Sequence, residues 1–429
     1  MPPKLKATAF RPFICPECQT RSRYLDHQSQ LRRTFRTSPR RLYAPSSARS
    51  SKHLHLTNRS IIRLAGPDAA LFLHNLIPAK ILDIGGSTNP IYTAFLSAQG
   101  RILNDVFIYP PPPAGSDKLG EEWFIEVDSA SAGELLKHLK KHKLRAKFTL
   151  EKVDAEAMGV YYTWPSPSGG GGNDLERSNR RSRLGGQDPR PGMGVRWLDE
   201  ASSHKPGALR QLEDTGSQQA TLEEYTIHRM LNGVAEGQSE IISGHALPQE
   251  SNIDFFGGID FFKGCYLGQE LTIRTHHTGV VRKRILPCQL YATDTEPLPA
   301  HQETPEYKAR GVETPLPLPP PGSNICKMKA KGRGRSSGKW LDGVGNIGLA
   351  LCRLEMMTDI QLTADRTNYD PNEQYKVQWE TAEGGEQQGV MLKPFVPRWL
   401  REGVEQSLRR KERKAKPRRE EEEDDEEVD

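Results

Sequence analysis

The run Lys263-Gly264-Cys265-Tyr266-Leu267-Gly268-Gln269-Glu270 sets one thiol among a cation, two glycines and a carboxylate. An ammonium group close to a cysteine favours the thiolate, the form that binds metal or attacks an electrophile. Gly264 and Gly268 permit close approach of the backbone to a ligand, or a turn where a Cβ would clash. Beyond the run, Leu271-Thr272-Ile273-Arg274-Thr275-His276-His277-Thr278-Gly279 alternates like a strand and adds a cation and two imidazoles. On a strand His276 and His277 point to opposite faces, so at most one joins a metal site beside Cys265. A histidine hydrogen-bonded at the surface is the plainer reading of either. Arg274, Arg282, Lys283 and Arg284 form a basic strip suited to a carboxylate or phosphate, or else a solvated sheet face. Cys265 is the residue on which chemistry is expected to depend.

With these residues in view, the chain resembles the YgfZ branch of the folate-binding superfamily that includes the glycine-cleavage T-protein. The octapeptide carries the branch signature, and Arg274-Thr275-His276-His277 resembles its mitochondrial, CAF17-type members. Residues 59–73, residues 94–106 with Gln99-Gly100-Arg101 and Asp105, and residues 247–254 agree, so the resemblance covers most of 55–400. It implies an α+β fold: a T-protein-like layered domain with antiparallel sheets, followed by a small C-terminal β-barrel. It also implies an iron-sulfur cluster assembly factor of the mitochondrial matrix, acting late in [4Fe-4S] formation with A-type scaffold proteins and for client [4Fe-4S] enzymes. Cys265 would be the metal ligand. Asp105, Arg229, Lys263, Tyr266, Gln269, Glu270 and Arg274 would be the cofactor-contacting residues, with tetrahydrofolate as the small molecule. Clusters are typically bound by four cysteines, so one thiolate predicts an iron-sulfur cluster shared with a partner.

The T-protein relatives perform folate-dependent aminomethyl transfer. Asn104 stands where they carry a key aspartate, and Asn232 where they carry a folate-contacting glutamate. An amide cannot act as a carboxylate base. A tetrahydrofolate-dependent one-carbon transferase centred on Asp105 is therefore the rival reading, and an interaction scaffold shaped by the octapeptide is the third.

A chain of 429 residues exceeds one hydrophobic core. Its 35% hydrophobic content and mean hydropathy of −0.67 predict that a substantial part is disordered. The net charge of +5 sums oppositely charged segments and gives no argument for nucleic acid. No apolar run approaches the ~20 residues that span a bilayer, so no membrane insertion is expected. Residues 1–43 are rich in Arg, Ser and Thr with only Glu17 and Asp26 as acids, the composition of a mitochondrial transit peptide. Arg41 places cleavage after Tyr43. Cys15 and Cys18 lie in that leader without a second pair at zinc-finger spacing, so chance explains them.

Residues 44–284 are expected to form the layered domain, with a disordered insertion at 165–191. Residues 285–400 would form the barrel, with a second insertion at 294–339, and 401–429 a charged disordered tail. Within this frame the spacing predicts a helix over 69–76 with Asp68 as N-cap, strands over 91–96 and 102–109 joined by Ser97-Ala98-Gln99-Gly100, a strand over 123–127 and a helix over 130–143. Thr221 and Glu224 form a capping box ahead of a helix over 222–231. Cys288 and Cys352 sit in apolar runs as buried structural thiols, and Cys326 in the second insertion as an exposed one. Gly343-Val344-Gly345-Asn346-Ile347-Gly348 matches a dinucleotide fingerprint by letter but follows no strand of a βαβ unit, so its glycines are read as turn glycines.

Overall fold

Ile102–Tyr109 is apolar at both odd and even positions, the pattern of a strand covered on both faces, and the first half of the chain is arranged around it. The computed structural model describes residues 51–82, 84, 87–111, 122–165, 184–200, 212–214, 216–308, 316–328, 336–362, 369–380, 385 and 387–415. The leader with Cys15 and Cys18, and the cleavage site at Tyr43, lie outside the described residues.

Strands β1 (Ser51–His55), β2 (Arg59–Ala65), β3 (Ile91–Leu96), β4 (Ile102–Tyr109), β5 (Glu122–Asp128), β6 (Thr149–Lys152), β7 (Met158–Pro165), β8 (Leu184–Gln187), β9 (Val195–Glu200) and β10 (Gln218–Gln219) form two sheets. The first runs β3-β4-β5-β2-β6, antiparallel throughout. The second runs β10-β1-β7-β9-β8, with only β10 parallel to its neighbour. Alternation along the first sheet assigns its faces. Val106, Ile108, Ile62 and Ile125 pack beneath helices α1 (Ala69–Leu76) and α2 (Ala132–Lys143). Ile61, Phe107, Tyr109 and Phe124 face the other way and meet Leu54, Val160, Tyr162, Trp164 and Leu198 of the second sheet.

Helix α3 (Leu222–Leu231) adds Tyr225 and Met230 to that interlayer core. Its capping box is present as expected: Thr221 Oγ1 accepts from Glu224 N at 3.2 Å and Glu224 Oε2 from Thr221 N at 2.9 Å. The β3–β4 hairpin closes with Gly100 N donating to Ser97 O at 2.9 Å. Asp68 occupies the N-cap of α1 without a side-chain cap bond and instead accepts from Lys147 N at 2.6 Å.

After helix α4 (Gln269–His277), strands β11 (Lys283–Tyr291), β12 (Asn324–Lys327), β13 (Gly338–Val344), β14 (Ile347–Arg353), β15 (Tyr375–Glu380) and β16 (Gln387–Pro394) close into a barrel in the order β11-β14-β13-β12-β15-β16. Short helix α5 (Leu354–Met357) follows β14, and α6 (Arg398–Ala415) follows the last strand. Cys288 and Cys352 are buried in the barrel core. Gly343 and Gly348 face each other across the β13–β14 hairpin, so the fingerprint letters mark a turn.

Four expectations need correction. The segment after Gln269 is helical, not a strand. The first insertion ends before Leu184, because Leu184–Gln187 pairs with β9, and Asp188 and Arg190 are buried; residues 166–183 lie outside the described residues. The second insertion contains a barrel strand, β12, which carries the half-buried Cys326. The chain past 400 is a helix as far as Ala415, with Leu400 at 0% and Val404 at 5% exposure inside the barrel's apolar cluster. In the last three cases polar composition concealed a few apolar positions that tertiary packing uses. Leu400→Ala should lower stability by about 2–4 kcal/mol through the cavity it leaves, read as a drop in the denaturant midpoint; an unchanged midpoint would place α6 outside the folded unit.

Candidate functional site

The Cys265 turn is built from its flanks. Asp260 Oδ1 accepts from Phe262 N at 2.8 Å and Lys263 N at 3.1 Å, turning the chain outward. Lys263 then reaches inward. Its Nζ donates to the carbonyls of His74, Ile77 (2.7 Å) and Ala79 (3.2 Å), at and just past the end of α1, where helix carbonyls lack intrahelical partners. Burial pushes this ammonium down to about 8, against the opposing pull of Asp260. Lys263 thus anchors the turn to the end of α1.

On the far flank, Gln269 Oε1 accepts from Tyr266 N at 3.2 Å, and Leu267 N donates to Asn75 O at 3.2 Å. Gly268 has φ +77° and sits so close to the β3–β4 hairpin that a Cβ would lie 2.2 Å from Ser97 O. Gly264 faces open space instead. Between these anchors Cys265 is exposed, Tyr266 is buried, and Phe262 is 84% exposed. Glu270 and Arg274 lie exposed on α4. The His276 ring stacks on Phe261 at 3.6 Å between centroids, and His277 meets His276 edge-on at 5.1 Å. Among the described residues no three His, Cys, Asp or Glu side chains come together to hold a metal ion.

Asp105 and Arg229 lie elsewhere, in a buried ionic network between the two sheets. Inward-facing positions supply Arg59 from β2, Asp105 from β4, Glu126 from β5 and Arg196 from β9; the stretch after β8 supplies Asp188 and Arg190, and the turn after α3 supplies Glu236 and Glu240. Arg59 Nε donates to Glu126 Oε1 at 2.7 Å, and Arg59 Nη1 lies 3.8 Å from Asp105 Oδ2. Arg196 bridges Glu126 to Glu236 (2.8 Å), and Arg190 bridges Asp188 (2.7 Å) to Glu236 (2.8 Å). Arg229 holds Glu240 through two 2.8 Å bonds. Tyr109 and Tyr225 donate to Glu126 at 2.7 Å and Glu236 at 2.8 Å. The Arg196 guanidinium stacks on Phe107 at 4.2 Å.

Electrostatics follow from this crowding. Burial pushes Asp105 up, with Arg59 pulling the other way. Burial would also raise Glu236, but Arg196, Arg190, Arg59 and Arg229 outweigh it and hold that carboxyl well below the usual range. Among the described residues, Arg59 Nη2, Tyr92 OH, Asp105 Oδ2 and Glu236 Oε1 find no hydrogen-bond partner. Asn104 and Asn232 make structural bonds: Asn104 Nδ2 to Ser131 Oγ at 2.7 Å, and Asn232 Nδ2 to His228 O at 2.8 Å at the end of α3. Of the basic strip, Arg284 is buried and paired with both oxygens of Asp254 at 2.8 and 2.9 Å.

The residues expected to serve one site therefore divide between an exposed turn and a closed core. Sequence reasoning passed over Arg59, Glu126, Asp188, Arg190, Arg196, Glu236 and Glu240. A usable signal existed: Asp105 shares parity with Phe107 and Tyr109, Glu126 with Phe124, and Arg196 with Leu198.

A family model described as CAF17, C-terminal beta-barrel domain, matches residues 282–402. The chain is 40% identical over 418 residues to the iron-sulfur cluster assembly factor IBA57 homolog, mitochondrial, of Coccidioides immitis, covering 94% of this chain and 93% of that one. It is 43% identical over 423 residues to the Aspergillus fumigatus protein of the same name, covering 94% and 92%. Among solved structures, glycine cleavage system aminomethyltransferase T from Bartonella henselae superposes with a TM-score of 0.53 at 12% identity, over 82% of this chain and 88% of that one, a likeness of fold. No helix among the described residues is long and apolar enough to cross a membrane.

Arg196→Ala should cost about 3–5 kcal/mol, because Glu126 and Glu236 lose a buried partner, seen in chemical denaturation; a loss below about 1 kcal/mol would show that the network carries no such coupling. His228, stacked on Trp164 at 5.3 Å, is pushed down by burial to about 4. The unfolded chain then binds the extra proton first, so stability present above about 6.5 is lost as pH falls toward about 4, by up to about 3 kcal/mol. His228→Phe should flatten that part of the stability profile, and an unchanged acid slope would assign it to other groups.

Proposed function

Because this chain belongs to the family of the IBA57-homolog mitochondrial iron-sulfur cluster assembly factors, we propose that it acts in the mitochondrial matrix, late in [4Fe-4S] cluster assembly. Cys265 supplies one thiolate to a site that an A-type scaffold protein completes, and client [4Fe-4S] enzymes receive the product. The observation that carries this reading is the presentation of Cys265. Of the four described cysteines, Cys288 and Cys352 are buried and Cys326 is half-buried in a barrel strand, whereas Cys265 is exposed on a turn anchored at both ends. A single thiolate supplies one of the four ligands a cluster typically takes. The partner brings the rest, and the iron and sulfide are cargo.

A second reading concerns tetrahydrofolate. Arg59, Tyr92 and Asp105 carry buried donors and acceptors without partners among the described residues, the kind of groups that the ring N–H and carbonyl groups of a reduced pteridine would pair with if the closed core opened to admit it. Arg229 would act indirectly, since its guanidinium is taken by Glu240. Aminomethyl transfer gains no support, as Asn104 and Asn232 offer amides already engaged in structural bonds.

Cys265→Ser should abolish the visible absorption of a cluster reconstituted with an A-type scaffold, at unchanged thermal stability, because a hydroxyl is a poor ligand for iron. Lys263→Ala should instead lower the melting temperature and weaken cluster binding in proportion. Full absorption from the serine variant would refute the shared-ligand reading. For folate, tryptophan fluorescence should report saturable tetrahydrofolate binding that Asp105→Asn weakens about tenfold, worth about 1.4 kcal/mol; no titration at millimolar ligand would refute it.

A further inference from the structure

Residues 135–150 hold six lysines and arginines and no aspartate or glutamate. On α2, Lys137, Lys140 and Lys141 stand at i, i+3 and i+4, exposed on the face opposite the buried Leu135 and Leu139. Lys137 is paired with Glu134 at 2.8 Å, whereas Lys140, Lys141, Arg145 and Lys147 are exposed with no acidic side chain paired to them among the described residues. The helix ends at Lys143, and Leu144, the next residue, is 88% exposed at φ +46°, in the left-handed region that a leucine rarely adopts.

A second exposed leucine belongs to the same surface. Asp68 Oδ2 accepts from Lys147 N at 2.6 Å, and Phe72 packs on Phe148 with ring centroids 4.7 Å apart, so the turn after α2 is tied to the first turn of α1. Leu71, three residues after Asp68 and therefore on the same side of α1, is 56% exposed. Such an excess of cations calls for an anionic partner, and the uncharged members of the patch decide which. Single-stranded nucleic acid is held by aromatic side chains that stack on its bases, but Phe148 is buried here and the exposed uncharged side chains are leucines. A protein partner would need a pocket shaped to Leu144. A fluid bilayer receives a protruding leucine without one, while its anionic headgroups attract the surrounding lysines.

We propose that the turn after α2 docks the protein peripherally on a bilayer surface rich in anionic phospholipid, with Leu144 and Leu71 entering the headgroup region and Lys140, Lys141, Arg145 and Lys147 meeting the lipid phosphates. Each cation near such a surface strengthens binding roughly fivefold, so four of them carry the attraction and the leucines add contact that charge alone does not supply. The Cys265 turn is tied through Lys263 to the opposite end of α1, about 12 Å away along an eight-residue helix. Lipid docking and the thiol therefore use different ends of that helix.

Hydrogen exchange of the full chain, mapped by mass spectrometry with vesicles of phosphatidylcholine alone or with about 30% phosphatidylglycerol, tests this. The readout is local because residues 1–43 are basic as well. Exchange at residues 143–148 should slow on the anionic vesicles and not on phosphatidylcholine alone. Raising salt from about 0.1 M to about 1 M, which shortens the screening length from about 10 Å to about 3 Å, should remove that protection. Lys140→Glu combined with Lys141→Glu, exposed changes whose melt should match that of the parent, should raise the lipid concentration needed at least about tenfold. Leu144→Ser should raise it about threefold at unchanged charge. Protection equal on both vesicles, absent from 143–148, or unchanged by Leu144→Ser overturns the proposal, as does a DNA duplex that protects the same amides at lower concentration than the lipid.

Discussion

The interlayer ion network is the constraint on which the other features of the layered domain depend. Placing guanidinium and carboxylate groups between two sheets is costly unless each finds its partner at hydrogen-bonding distance. Here the partners come from different elements: Arg59 on β2 needs Glu126 on β5, and Glu126 needs Arg196 on the opposite sheet. A slip of either sheet by one residue would turn these charges to the wrong face. The same slip would turn the apolar side chains of each face the wrong way, so the charges and the packing specify the same arrangement of the sheets. Among the described residues it contains five carboxylates and four guanidinium groups, and burial pushes Asp105 and Glu240 up while Arg59 and Arg229 pull them the other way.

From this core, rigidity extends to the exposed turn through short bonds. Thr93 on β3 donates to the carbonyl of Gly258 at 2.9 Å, two residues before Asp260 begins the turn. Lys263 ties the turn to the end of α1, and Gly268 is wedged against the β3–β4 hairpin. A thiol that meets a partner's metal, as proposed above, would benefit from such support, because ordering a loose loop at the moment of docking would subtract from affinity. The octapeptide's lysine and second glycine are therefore explained by anchoring, while its first glycine and its cysteine face outward.

The join between domains is equally specific. Arg284, at the start of the barrel, reaches back to Asp254 and to the carbonyl of Gln249, while Asn252, at φ +62°, donates to Ile285 O at 2.9 Å. These bonds bring residues 247–254, part of the resemblance to the T-protein superfamily, to the root of β11. The shared segment is thus a structural hinge pin, and the barrel's orientation relative to α4 follows from it.

By itself the sequence determined the local events whose causes are local. The capping box at Thr221, the tight hairpin at Ser97 to Gly100, helix α1, and the buried thiols in β11 and β14 all follow from neighbours in the chain. The Cys265 motif was legible for the same reason, since its residue types stand side by side. Tertiary structure decided the rest. Leu271, Ile273 and Thr275 alternate as a strand would, yet α4 is helical, because Gly268 in a left-handed conformation starts a helix whose Thr272 is buried and whose His276 stacks on Phe261. Strands β8 and β12 and helix α6 each draw on a few apolar or small residues in polar surroundings, which a composition reading averages away. The ion network was hidden most completely: an isolated charge in a strand reads as solvent-facing, and only the meeting of two sheets brought Arg196 to Glu126 and made burial of both tolerable.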